Sequence, residues 1–213
     1  MKVAVFSESA ADEKAVRVLV EGLLGKQTEP VNLRLRTRGW PAVINALPAV
    51  LKFLHYKTNA DALVVVVDSN HSPVHTETHD QPGNEDQKCR LCLLHQVVAQ
   101  EQRRLRSVAN RPAIKTALGV VVPAIEAWYR CGLDPHVTEA AWIMALQSNN
   151  FPYTKNNLKQ DVYGTDRPLL VMETRRATEE AQRLVQNLTL LESLFPAGFG
   201  ALARDVRNWE PPP

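Results

Sequence analysis

Three carboxylates stand just beyond three apolar runs of this chain: Glu8 after residues 3–6, Asp68 after residues 63–67 and Glu126 after residues 118–122. Carboxylates drawn into one pocket repel one another and raise each other's pKa unless a cation joins them. A donor set of hard oxygens, with no thiolate or imidazole, selects Mg²⁺ or Mn²⁺ over softer ions. The elements that carry the three acids decide whether they meet. In an open parallel α/β sheet the loops at the carboxyl ends of the strands converge, and ligands bind there. If the three runs are neighbouring parallel strands, their acids share one mouth, and the expected centre is a divalent-metal site for a phosphate group.

The patterning predicts such strands. Residues 3–6 end in Ser7-Glu8-Ser9, after which Ala15, Val16, Leu19, Val20 and Leu23 recur at helical spacing. Ser9 followed by Asp12 fits a capping-box variant, so the first helix is expected to begin near Ala10, with Asp12 favoured by its positive first turn. Leu33, Leu35 and Thr37 alternate with Arg34, Arg36 and Arg38, which predicts a strand over residues 32–38 with a row of arginines on its open side. Pro41 opens a second helix, whose buried stripe is Val43, Ile44, Leu47, Val50, Leu51 and Leu54. Residues 62–67 are apolar on both faces, as a central parallel strand must be. Polar residues 69–86, with Pro73, Pro82 and Gly83, predict a surface loop, and a helix is expected from about 86 to 108. Residues 115–122 give another buried strand, and Pro123 begins a helix carrying Glu126 and Trp128. The rest is helical in pattern: about 136–148, 155–162, and an amphipathic helix through Ala181, Leu184, Val185, Leu188 and Leu191. The fold class expected is α/β, a parallel sheet sandwiched by helices over residues 1–132, with a helical C-terminal extension over 133–210 packed on it.

Composition narrows the function. With 213 residues, 45% of them hydrophobic and 23% charged, the chain can bury a core and is not a disordered or fibrous sequence. Lys and Arg number 25 against 23 Asp and Glu, so any nucleic-acid surface must come from local clusters. Two are present: the row Arg34, Arg36 and Arg38, and residues 101–115, where Arg103, Arg104, Arg106, Arg111 and Lys115 face Glu101 as the sole acid. Such patches hold phosphates without reading sequence. Three cysteines do not make a disulfide framework, which favours a reducing cytosol. No apolar stretch reaches the roughly 18 residues of a membrane span, and the run before Ser7 is too short for a signal-peptide core. A soluble, cytoplasmic protein is expected. Neither phosphate-cradling glycine motif, G-x-x-x-x-G-K or G-x-G-x-x-G, is present.

A second set of residues has metal-ligand chemistry. His71, His75, His79, Cys89, Cys92 and His95 crowd one region, with Cys89-x-x-Cys92 at a ligand spacing. A tetrahedral zinc site needs four ligands, of which this motif supplies two, so the others would have to come from loop histidines. The reading preferred on sequence leaves the cysteines as part-buried helix residues and the histidines along an exposed loop, in a zinc-free protein. Cys131 has no general base in its local sequence to make it a nucleophile.

The acid motifs resemble those of the Toprim domain found in topoisomerases, primases and OLD-type nucleases. Glu8-Ser9-Ala10-Ala11-Asp12-Glu13 resembles that family's Glu-Gly-x-x-Asp-Glu, and Asp68-Ser69-Asn70 its Asp-x-Asp. Pro123-Ala124-Ile125-Glu126-Ala127-Trp128 and Phe195-Pro196-Ala197-Gly198-Phe199-Gly200 resemble segments of small prokaryotic Toprim-like proteins, often encoded beside ATPases in defence loci. The resemblance spans most of the chain through short motifs. It departs where Ser9 replaces glycine, which a negative φ would allow, and where Asn70 replaces an aspartate, which removes one charge and should lower metal affinity. It implies a Toprim-like fold and phosphodiester cleavage of DNA or RNA, with an ATPase partner and the capacity to form a homo-oligomer. Mg²⁺ or Mn²⁺ would be held by Glu8, Asp68, Asn70 and Glu126, with Glu8, Asp68 and Glu126 as catalytic groups. The alternative is a catalytically inactive Toprim-like subunit that binds nucleic acid or a partner protein.

Overall fold

The computed structural model describes residues 1–33, 35, 39–109 and 111–209. Four strands, β1 (Lys2–Phe6), β2 (Glu29–Pro30), β3 (Ala62–Asp68) and β4 (Lys115–Val121), form one parallel sheet in the order β2-β1-β3-β4. Every residue of β3 is buried, because it pairs on both edges and is covered on both faces. Side chains alternate between two cores, Val3, Val5, Val64, Val66 and Val121 facing one way and Ala4, Phe6, Leu63, Val65, Val67 and Leu118 the other.

Helices α1 (Ala10–Leu24), α2 (Trp40–Lys57) and α3 (Arg90–Arg104) follow the first strands; α2 and α3 close the second core, and α1 closes the first. After β4 come α4 (Ile125–Tyr129), α5 (Glu139–Ser148), α6 (Lys155–Tyr163), α7 (Leu170–Val185), α8 (Leu188–Leu194) and α9 (Phe199–Arg207). The later helices join α1 on its face of the sheet: α7 packs along α1 and α9 along β4. Gly22 permits the first of these contacts, since a Cβ there would lie 2.7 Å from a methyl of Val185. Buried Glu139 secures the entry to α9 by accepting from the Ala197 and Gly198 amides at 2.9 Å each.

Ser9 caps α1 as expected, accepting from the Asp12 amide at 3.1 Å, and its φ of −145° is a conformation for which glycine is not needed. Other boundaries differ. The outer partner of β1 is residues 29–30, not a strand over 32–38: the link from Gly25 is short enough that the chain meets the sheet edge at once, and Pro30 has no N–H to extend the ladder. Leu33 and Leu35 are outside strands, and Arg34, Arg36, Thr37 and Arg38 lie outside the described residues. Helix α3 begins only at Arg90, because the Asp86 carboxylate takes the Lys88 amide into a turn. The amphipathic stretch near 181–191 is two helices, interrupted at Asn187, whose side chain caps α8.

Candidate functional site

The first turn beyond β1 places Glu8, the last residue of β3 is Asp68, and the turn after β4 leads to Glu126 in α4. β1 and β4 both flank β3, so all three acids emerge at one end of the sheet, as the strand-end argument requires. Glu8 Oε1 accepts from the Asp68 amide at 3.0 Å, and Asp68 Oδ1 accepts from the Ile125 amide at 3.1 Å, so each acid is tied to the segment bearing the next. Asn70 takes a left-handed φ of 50°, and its hydrogen bonds run through the main chain, with its amide donating to the Pro123 carbonyl at 2.8 Å.

Cations that the sequence reading missed meet these acids. Lys155 of α6 donates to Asp68 Oδ2. Lys159, one turn further along the same helix, lies 3.8 Å from Glu126 Oε1 and 3.9 Å from Glu173. Arg90 of α3 donates to the Asp68 carbonyl, lies 3.7 Å from Glu8 and stacks 5.1 Å above the Trp40 ring. Asp12 was also missed as a site residue: it is buried, on the same helix face as Ala15, Val16 and Leu19. Burial, then the charges of Asp68 and Glu126, hold its carboxyl well above the ordinary range. Burial and Asp68 raise Glu126 to about 7, and burial with Asp68 also raises Glu8. Glu126 Oε2 and the hydroxyls of Tyr129 and Tyr163 are buried there with no hydrogen-bond partner.

The chemistry of this donor set fits a hard dication. Every acid offers oxygen, repulsion among the acids persists despite three cations, and one carboxylate oxygen is buried without a partner. As placed, the acids are not a closed ligand set: among the described residues, the only group of three or more His, Cys, Asp or Glu with ligand atoms all within 4.8 Å of one another is elsewhere.

That other group is His75, His79, Cys89 and Cys92. The structure therefore gathers what the sequence reading left scattered, because the loop after β3 folds back, through a 3₁₀ turn at Glu77–Asp80, onto the start of α3. His71 is instead packed against Trp142 and Phe151, and His95 stands beside His75 with ring centroids 6.2 Å apart. Burial raises the Cys131 thiol.

The basic segment divides by role. Arg111 donates to the Leu54, His55 and Ala60 carbonyls and so closes the C-terminal end of α2, and Lys115 donates to the Trp209 carbonyl. Arg106 bonds through its main chain to Tyr56 and His55. Arg104 pairs with Glu101 at 3.1 Å, and it and Arg103 line a cleft of about 800 Å³ that runs along α3 to His75 and Cys92. Arg90 and Arg104 mark opposite ends of α3, roughly 20 Å apart along its axis.

Fold and site together define a parallel α/β protein whose strand ends carry an acid and lysine cluster. No model of a known family, no characterised protein and no solved structure matches the chain. Among the described residues, no helix is long and apolar enough to cross a membrane.

Proposed function

We propose that this chain is a Mg²⁺- or Mn²⁺-dependent phosphodiesterase of Toprim-like architecture, a nuclease or nuclease subunit acting on DNA or RNA with an ATPase partner in defence. One observation carries the reading. Five carboxylates, Glu8, Asp12, Asp68, Glu126 and Glu173, share their surroundings with three cations, Arg90, Lys155 and Lys159. Two negative charges are left over when all are ionised, and a dication removes two.

Glu8, Asp68 and Glu126 would hold the ion. Bound there, it supplies Lewis acidity toward a phosphate oxygen and lowers the pKa of a water. Lys155, with 38% of its side chain exposed, is the cation placed to exchange Asp68 for an incoming phosphate, and Arg90 is kept at the rim by Trp40. Arg103 and Arg104 extend the positive surface along the cleft. The test is plasmid nicking with Mn²⁺ or Mg²⁺: cleavage is expected, with Glu8→Gln and Asp68→Asn abolishing it. The pairing of Lys155 with Asp68 favours a second reading, a silent binding subunit. It predicts no cleavage with any divalent ion, and nucleic-acid affinity unchanged by those two substitutions.

A further inference from the structure

The loop after β3 and the start of α3 bring together four side chains that the acid site does not use. We infer that His75, His79, Cys89 and Cys92 form a tetrahedral, structural Zn²⁺ site. The inference is independent of the proposed phosphodiesterase activity.

Geometry supplies the first argument. His75 Nδ1 lies 3.7 Å from Cys89 Sγ and 3.5 Å from Cys92 Sγ. With bonds of about 2.3 Å to sulfur and about 2.05 Å to nitrogen, a tetrahedral zinc ion sets its sulfur and nitrogen ligands about 3.6 Å apart. All four donors already lie within 4.8 Å of one another. Both cysteines face one and the same nitrogen. An ion at their centre would join both sulfurs to it.

The surroundings supply the second. His75 Nε2 lies 3.0 Å from Asp80 Oδ1. A proton on Nε2 donated to that carboxylate leaves Nδ1, the nitrogen facing the sulfurs, with its lone pair outward. This is the imidazole–carboxylate arrangement that orients histidine ligands of zinc. His79 Nδ1 is buried with no hydrogen-bond partner. Cys89 is the N-cap residue of α3 yet makes no side-chain cap bond, and Cys92 follows in the first turn, so both sulfurs stand at the start of the helix that the loop folds onto.

Two thiolates and two imidazoles select zinc over magnesium, and closed four-coordination marks a structural role. On binding, the two thiols give up their protons to solvent and two neutral imidazoles complete the shell. The ion would pin the loop to α3 beside Arg90, the residue that reaches Glu8 and Asp68.

The test uses the full chain purified under reducing conditions without chelator. Elemental analysis after gel filtration is expected to give one zinc per chain. Exchange for Co²⁺ should give the visible bands of a tetrahedral ion and a thiolate-to-cobalt charge-transfer band. Cys92→Ser should abolish that band, whereas Cys131→Ser and His95→Ala should leave one ion per chain. Asp80→Asn should weaken affinity by about 10- to 100-fold. Wild-type chain that holds no zinc after incubation with it and shows only octahedral cobalt would overturn the inference; so would iron as the resident metal, or full zinc occupancy in a folded Cys92→Ser.

Discussion

Two clusters flank Arg90, and they meet the same problem in opposite ways. On the strand-end side, buried carboxylates are drawn together and the chain answers with its own cations, Lys155, Lys159 and Arg90. On the helix side, two thiols and two imidazoles face one another. In the proposed function the first cluster exchanges partners, because a lysine can swing away when a phosphate or a metal arrives. In the inferred zinc site the second is held by an ion that its four donors enclose. Oxygen donors with lysines point to turnover, and sulfur and nitrogen donors point to structure.

Several substitutions break or sharpen this contrast. The largest effect is expected from Asp68→Asn, since Asp68 touches Lys155, the α4 amide and, in the proposed function, the metal. Nicking activity should fall by about 100-fold or more, as when a reacting group's acid or base is removed, while zinc content stays at one per chain.

Stability against pH comes next. Glu126 is raised to about 7 from an ordinary 4.5, first by burial and then by Asp68. The folded chain therefore keeps a proton that the unfolded chain releases. The resulting stability is complete below about pH 4.5 and is lost as pH rises through about 7. For the metal-free protein this amounts to ~3 kcal/mol, and Glu13, raised to about 7 by burial, adds to the same direction. Denaturant titrations at pH 5 and pH 8 should show the decline, and Glu126→Gln should flatten it.

Lys155→Met removes the lysine from Asp68 and should tighten Mn²⁺ binding by roughly tenfold, by removing a competing positive charge. If affinity instead falls, the lysine is an essential part of the metal site rather than its stand-in. The smallest effect is expected at the far end of α3. Arg103→Ala and Arg104→Ala should each lower the slope of log affinity against log salt for nucleic acid by about 1, with no change in either metal.

Much of the scaffold was legible in the sequence, because its signals were local. The all-apolar run Leu63 to Val67 could only be an inner strand, and Ser9 and the periodicity after it set the start of α1. That Glu8, Asp68 and Glu126 emerge at one end of the sheet followed from strand ends alone. What escaped depended on distance in the chain. Lys155 meets Asp68 across 87 residues, and no pattern near either announces the pair. Asp12 did leave a trace: it occupies the apolar stripe of α1, and a charge there is unlike a solvent-facing first-turn acid. The alternation of Leu33 and Leu35 misled because the sheet edge had already been met at residues 29–30. The histidine and cysteine cluster was visible as composition, but its closure required the loop to turn back on α3, which Pro73 and Gly83 do not specify.

The central claim is that the strand-end acids take a hard dication, and calorimetric titration of Mn²⁺ at pH 8 into the zinc-loaded chain tests it most directly. One site is expected, lost in Glu126→Gln and unchanged in Cys131→Ser. Absence of Mn²⁺ binding, or equal binding in Glu126→Gln and the parent chain, would contradict it.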